Sequence, residues 1–219
     1  MELLSNLTLH HPSSVEDAVS RHSSTSNGHY LAGGSDLLVN MRRGIEQPDS
    51  LVYLNNIAEM QAIKDAGDTI TIGGGVILRD LDKSALIQKH FAAVARAAGE
   101  VAGPSHREYG TLAGNLCLDT RCIFYNQSEW WRAANNYCLK SRGEICHVAP
   151  GGKKCFAAFS GDVAPALLLF DAEVELAGPS GRRRVALADL YRNDGMDHLT
   201  LSKDELLVAV HVAKPSVPM

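Results

Sequence analysis

Four of the five cysteines in this chain lie between Cys122 and Cys155, at positions 122, 138, 146 and 155. Whatever fold the chain adopts must seat this sulfur-bearing stretch beside the two short motifs that bracket it. Before it stands Gly110-Thr111-Leu112-Ala113-Gly114-Asn115, and after it Ser160-Gly161-Asp162-Val163-Ala164-Pro165. Sulfur ligands favour soft metals, so the arrangement points to a metal or iron–sulfur centre next to a second site.

Several uses of the cysteines compete at this level. Disulfides require an oxidising compartment, whereas Met1 to His10 carries neither the basic n-region nor the long apolar h-region of a secretory signal. Structural zinc sites favour Cys pairs separated by two to four residues, and the shortest gap here, Cys138 to Cys146, is wider. Iron–sulfur clusters accept ligands from dispersed loop positions, although this spacing follows neither ferredoxin pattern. Burial as a small hydrophobe suits Cys117, in the apolar Asn115-Leu116-Cys117-Leu118, better than the other four, whose neighbours are polar and rich in Gly and Lys. Cys117 is therefore left out of the candidate ligand set.

Composition narrows the function classes. With 45% hydrophobic and 21% charged residues, net charge −4 and pI near 6.1, the profile is that of an ordinary globular chain of one domain or two small lobes. Nothing is basic enough to bind nucleic acid, and no 18-residue apolar run could span a membrane, so a cytoplasmic location is expected. Arg182-Arg183-Arg184 follows Gly178-Pro179-Ser180-Gly181 and reads as the solvated return of a hairpin.

The pattern predicts mixed elements. A helix starts at Ser13-Ser14-Val15-Glu16-Asp17 and runs to about His22. Short strands follow at His29 to Ala32 and Leu51 to Leu54, with a helical turn or two over Asp36 to Arg43 between them. This makes a β-α-β opening lobe over residues 1–57. A second lobe over 58–214 begins with a hairpin, Met60 to Ile63 and Thr69 to Ile72 around Asp65-Ala66-Gly67-Asp68. From Leu78 the pattern is helical, with Ile87, Phe91, Val94 and Ala98 on one face, ending at Gly103-Pro104. Asp162 to Leu169 forms a short helix, Glu173 to Leu176 and Arg184 to Leu187 a second hairpin, and Leu206 to Val212 a strand. The fold class is α+β, two-lobed, rather than a regular Rossmann sheet.

The second site is read from small residues. Leu31-Ala32-Gly33-Gly34-Ser35-Asp36-Leu37 lies at the end of a strand; taken alone it reads first as a plain tight turn, since Gly-Gly occurs in many loops, but its two glycines also let consecutive N–H groups face one concavity that suits a phosphate. Ser35 adds a hydroxyl. Thr111, Leu112, Ala113, Gly114 and Asn115 offer the same chemistry again, with the Thr111 hydroxyl and Asn115 amide as directional groups. Asp162 has two readings, an acceptor for ribityl or ribose hydroxyls or a cap on the helix that follows. Gly73-Gly74-Gly75 is read as structural spacing, and no G-x-G-x-x-G fingerprint occurs. No acid–base pair stands out, so no catalytic residue is assigned.

These motifs, with Gly161-Asp162-Val163-Ala164-Pro165-Ala166-Leu167, resemble those of the FAD-binding medium subunits of the xanthine oxidase family of molybdenum hydroxylases. The resemblance implies the two-lobed FAD-binding fold of the molybdopterin dehydrogenase type, with residues 31–37 and 111–115 around the FAD pyrophosphate and Asp162 touching the cofactor. The stretch 117–158, with Asp119-Thr120-Arg121-Cys122 and Phe124 to Arg132, resembles one branch, the β subunits of 4-hydroxybenzoyl-CoA reductases. That implies an insertion binding a 4Fe–4S cluster through Cys122, Cys138, Cys146 and Cys155. It also implies reductive dehydroxylation of 4-hydroxybenzoyl-CoA to benzoyl-CoA. Trp130 and Trp131 within the insertion are read as loop packing in preference to a role in electron transfer. The implied partners are a large molybdenum-cofactor subunit, a small 2Fe–2S subunit in a dimer of heterotrimers, and a low-potential donor such as ferredoxin. The family's C-terminal domain, on this reading, is absent after Met219. The alternatives are an oxidising aromatic or purine dehydrogenase subunit, or a zinc-stabilised assembly module.

Overall fold

The computed structural model describes residues 6–216. Its first strands form a small parallel sheet in the order β1-β3-β2: β1 (Thr8–His10), β2 (Gly28–Leu31) and β3 (Ser50–Tyr53). Parallel neighbours need crossovers, supplied by α1 (Val15–Ser23) between β1 and β2 and α2 (Leu37–Arg42) between β2 and β3. Helix α1 begins where the sequence places it, because the Ser14 hydroxyl accepts the Asp17 N–H at 3.1 Å.

A second, antiparallel sheet has the order β4-β5-β8-β6-β7. It contains β4 (Ile63–Asp65), β5 (Thr69–Gly73), β6 (Glu173–Gly178), β7 (Gly181–Ala186) and β8 (Leu206–Ala213). The first hairpin is shorter than its sequence pattern, since Met60 lies in a 3-10 turn over Ala58–Gln61 and pairing starts at Ile63↔Ile72. The weak alternation of β8 has a clear cause: it is the central strand, buried on both faces. Leu207, Val210 and Val212 face the larger core, while Leu206 and Val208 face α1. That second cluster joins Val15, Ala18, Val52 and Ile57 to Ala177, Leu206 and Val208, so the two sheets share a core through α1.

Helices cover the other face of the large sheet. The long helical pattern after Leu78 is broken into α3 (Leu78–Lys83), α4 (Ala85–His90) and α5 (Ala92–Glu100). Ser84 is the reason for the first break, its hydroxyl taking the Ile87 N–H and restarting the chain as a cap. The predicted face survives the breaks: Ile87, Phe91, Val94 and Ala98 are all buried. The run ends with α5 just before Gly103-Pro104, as expected, and Pro104 then opens a short helix, α6 (Pro104–Arg107). Next come α7 (Leu112–Leu116), α8 (Glu129–Ala134) and α9 (Val163–Leu168).

The arginine run is the exposed return strand of the second hairpin, as its sequence predicts; Arg182 reaches Glu16, Glu59 and Glu175, and Arg183 makes a two-pronged pair with Glu205. One surface reading is corrected. Trp130 is 78% exposed, so loop packing does not describe it.

Candidate functional site

Strand β2 delivers the chain at its carboxyl end into the loop Ala32 to Asp36, on the floor of a cleft of about 640 Å³. That volume suits a cofactor-sized ligand. The cleft runs between the small sheet, the edge of α7 and the end of the large sheet at Leu206 and Leu207. Leu31 to Leu37 all line it, and so do Thr111, Ala113, Gly114 and Asn115. Leu112 is fully buried in the core, and Asp162 is exposed at the head of α9, away from the cleft lining.

The two glycine motifs differ in what their amides do. Among the described residues, no backbone hydrogen bond uses the N–H of Gly33, Gly34, Ser35 or Asp36. Gly34 sits at φ +71, the left-handed conformation that leaves such groups unpaired and available to an anion. In the second motif the amides are already spent. Leu112 N–H donates to Val76 O, Ala113 N–H to Gly74 O, Gly114 N–H to Thr111 Oγ1 and Asn115 N–H to Thr111 O. Asn115 Oδ1 accepts the Val163 N–H at 3.0 Å and so caps α9. The second motif therefore presents the Thr111 hydroxyl proton and the Asn115 amide hydrogens, but not a nest of N–H groups.

Close contact explains the small residues. A Cβ on Gly33 would lie 1.9 Å from Tyr109 O, so this glycine lets the first loop rest directly on the second motif. A Cβ on Gly74 would likewise lie 2.7 Å from Leu207 O. Polar atoms on the cleft wall are also unsatisfied. His29 Nδ1 and Asn40 Oδ1 are buried without a partner, and both residues line the cleft; such atoms mark a place for a polar ligand. Arg43 lines it too and makes no ion pair among the described residues. Sequence reasoning passed over Gly74, Gly75, His29, Asn40 and Arg43. Only the triple glycine gave a signal, while the others are brought in by folding.

The four clustered cysteines line one small cavity, walled also by Phe124, Tyr125, Leu139, Lys140, His147 and Val148. All five cysteines are free thiols. Among the described residues no three His, Cys, Asp or Glu side chains stand close enough to hold a single metal ion. A structural zinc ion takes four Cys or His ligands at about 2.0–2.3 Å, closer than the groups stand here. A polynuclear core separates its own ligands and suits a wider set of thiolates.

Backbone amides face two of these sulfurs. Burial opposes ionisation of Cys146, but N–H groups of Phe156, Ala149 and Val148 outweigh it and hold the thiol below its ordinary value, which favours metal ligation there. At Cys155 burial wins and raises the thiol, against the opposing pull of the Ala157 N–H at 3.4 Å and of Lys140. Cys117 is different: burial pushes it up to about 12, and it lies at the cleft instead of the cysteine cavity.

Two arginines tie the cysteine segment to the first lobe, Arg121 at the first glycine loop and Arg132 just beyond α2. Arg121, next to Cys122, pairs with Asp36, whose other oxygen accepts from Asn40 Nδ2 at 3.1 Å. Buried Arg132 donates to Gly44 O at 2.9 Å, beyond α2, and to Glu129 at 2.7 Å. Asp36 is thus a structural anchor between the two sites, with its carboxylate already engaged.

Residues 5–215 match the family described as the FAD binding domain in molybdopterin dehydrogenase. The chain is 33% identical over 196 residues to the aldehyde oxidoreductase FAD-binding subunit PaoB of Escherichia coli K12, covering 85% of this chain and 61% of that protein. It is 28% identical over 205 residues to the carbon monoxide dehydrogenase medium chain of Hydrogenophaga pseudoflava, covering 93% and 57%. Among solved structures it superposes with TM-score 0.73 on carbon monoxide dehydrogenase from Hydrogenophaga pseudoflava lacking the Mo-pyranopterin moiety. That match covers 99% of this chain and 62% of the other at 24% identity, and speaks for the fold. The chain spans about three fifths of the length of these relatives. No helix among the described residues is long and apolar enough to cross a membrane.

Proposed function

The chain belongs to the family of FAD-binding domains of molybdopterin dehydrogenases, and from that premise we propose an electron-transfer subunit carrying both FAD and a 4Fe–4S cluster. FAD lies in the 640 Å³ cleft with its pyrophosphate on the free amides of Gly33 to Asp36. Thr111 and Asn115 add polar contacts, and Arg43 adds charge. Asp162, exposed at the head of α9 beside the Val163–Asn115 hydrogen bond, does not line the cleft and is given no direct contact in this proposal. Cys122, Cys138, Cys146 and Cys155 hold the cluster. When bound, the two groups supply electron storage and one-electron exchange. The protein's own part is to fix them in neighbouring sites, limit water access and set the charges around each.

The observation that carries the iron–sulfur part is the convergence of four free thiols on one cavity, two of them facing backbone N–H groups. It supports the specific reading of a 4-hydroxybenzoyl-CoA reductase subunit, in which a low-potential cluster suits delivery of electrons to a difficult reduction. On that reading a large molybdenum-cofactor subunit holds the substrate and a small 2Fe–2S subunit completes the chain, with an external low-potential donor such as ferredoxin. A second reading, the FAD subunit of an oxidising enzyme, is favoured by the 33% identity to an aldehyde oxidoreductase subunit.

Iron and sulfide analysis of anaerobically purified protein tests the cluster. Four iron and four sulfide are expected in the parent and in Cys117→Ser, with loss or a three-iron form in Cys146→Ser. A parent free of iron, or Cys117→Ser losing it while Cys146→Ser keeps a full complement, would remove the assignment. Turnover of 4-hydroxybenzoyl-CoA with a strong reductant by the native complex then separates the two readings.

A further inference from the structure

A buried ion pair stands in the wall between the cleft and the cysteine cavity. Lys140 Nζ donates to Asp119 Oδ1 at 2.6 Å and to Thr120 Oγ1 at 2.5 Å, and lies 4.7 Å from the centre of the Tyr125 ring. The Thr120 hydroxyl is itself fixed, donating to Gly195 O. Only 5% of the Lys140 side chain is exposed, against 32% for Asp119. The pair has a direction: Lys140 lines the cavity of the four thiols, and Asp119 lines the cleft.

Nothing in packing calls for an ammonium here. Burying one costs several kcal/mol unless it is paired, and an apolar side chain fills such a wall at least as well. The rest of the cavity wall is uncharged Phe124, Tyr125, Leu139 and Val148, with His147 giving its Nε2 hydrogen to Tyr137 O at 2.7 Å. In so apolar a setting a fixed charge acts strongly on its neighbours.

We propose that Lys140 sets the reduction potential of the four-cysteine centre, with Asp119 holding the ammonium on the cavity side of the wall. The proposal rests on the cluster reading above. Four thiolates give the centre negative charge, and each electron gained from the flavin side or from an external donor adds one more. A fixed cation at the wall favours that reduced form, and no bond is made or broken and no proton leaves Lys140. The site thus contains a positioning residue for electrons, not a group that reacts.

The test is a potentiometric titration of the centre, followed by electron paramagnetic resonance, in the anaerobically purified full complex. Lys140→Met is expected to lower the midpoint, so that the reduced-to-oxidised ratio at the parent midpoint falls at least tenfold, or 59 mV for one electron. Lys140→Arg, which keeps the charge, is expected to stay within threefold of the parent. Asp119→Asn is expected to move the midpoint the opposite way. A purely structural role predicts loss of iron but no shifts of opposite sign in samples with full iron. Should Lys140→Met not assemble, the pair-free double variant Asp119→Asn with Lys140→Met leaves no lone buried charge and is expected to lie below the parent but above Lys140→Met, since Lys140 is the nearer of the two charges to the thiols. A Lys140→Met protein with full iron and an unchanged midpoint overturns the proposal while leaving the cluster assignment intact. A parent without iron overturns both.

Discussion

Gly33→Ala perturbs the cleft through a single methyl group whose surroundings are known. Its Cβ would meet Tyr109 O at 1.9 Å, Tyr109 C at 2.4 Å and Gly110 N at 3.0 Å, all backbone atoms that cannot rotate away. Restoring ordinary contact requires the two loops to separate by roughly 1.5 Å in a densely packed region. Overpacking of this kind costs about 1–3 kcal/mol, and a backbone neighbour puts it at the upper end. If FAD binds against both loops, most of that strain appears in the bound state, and affinity falls about a hundredfold. Gly34→Ala is the control. Its φ of +71 is unfavourable for alanine, but the steric neighbour, Leu38 Cδ1 at 2.9 Å, is the end of a flexible side chain. That variant should lose about 1 kcal/mol, or about fivefold in affinity. Equilibrium dialysis against FAD, with thermal melting on the same samples, measures both. Parent-like binding and melting in Gly33→Ala would refute the reasoning, because the loops would then not be locked together.

Other consequences are equally direct. Asn115→Ala leaves the Val163 N–H without its acceptor and should destabilise the fold by about 1–3 kcal/mol in urea titration. Asp162→Ala, whose exposed side chain caps nothing, should change stability by less than about 0.5 kcal/mol and leave FAD affinity unaltered. Arg182→Ala removes a clasp joining Glu16 on α1, Glu59 and Glu175 and should cost about 1 kcal/mol, as exposed ion pairs do. The Arg182 hydrogen bond holds Glu16 below its ordinary 4.5. Glu175 is also lowered, although its burial acts the other way, because His211 and Arg182 outweigh that burial. Both carboxylates have depressed folded values, so the clasp contributes fully above about pH 5 and is lost as pH falls through the folded values below 4.5. Melting at pH 7 and pH 3.5 should therefore show the parent and Arg182→Ala converging in acid.

Local physics made much of the architecture readable. A hydroxyl before an acidic first turn marks α1, Gly67 marks the first hairpin, and Gly178 to Gly181 marks the second. The face formed by Ile87, Phe91, Val94 and Ala98 is a matter of helical spacing, and it stays buried even where the chain breaks at Ser84 and Phe91. Those breaks were not readable, because a single hydroxyl cap and one φ of −140 at Phe91 decide them. The central position of β8 was also hidden. Strand order depends on pairings between residues far apart, such as Thr71 with His211 and Val174 with Val210.

At the site the division follows the same line. The sequence by itself determined which residues have the chemistry: two glycines able to free their amides, four thiols in a polar stretch, and Cys117 in apolar company. It could not say which amides remain free, since the partners of Leu112 and Ala113 are Val76 and Gly74, and that of Val163 is Asn115. Nor could it show that Asp36 is committed to Arg121, that Asp162 does not line the cleft, or that Lys140 is buried between two sites. Residue type fixes what a group can donate, accept or ligate. Only the folded chain decides which of those capacities are already satisfied by a distant neighbour and which are left for a ligand, because in a packed interior each polar group finds its partner across tertiary contacts.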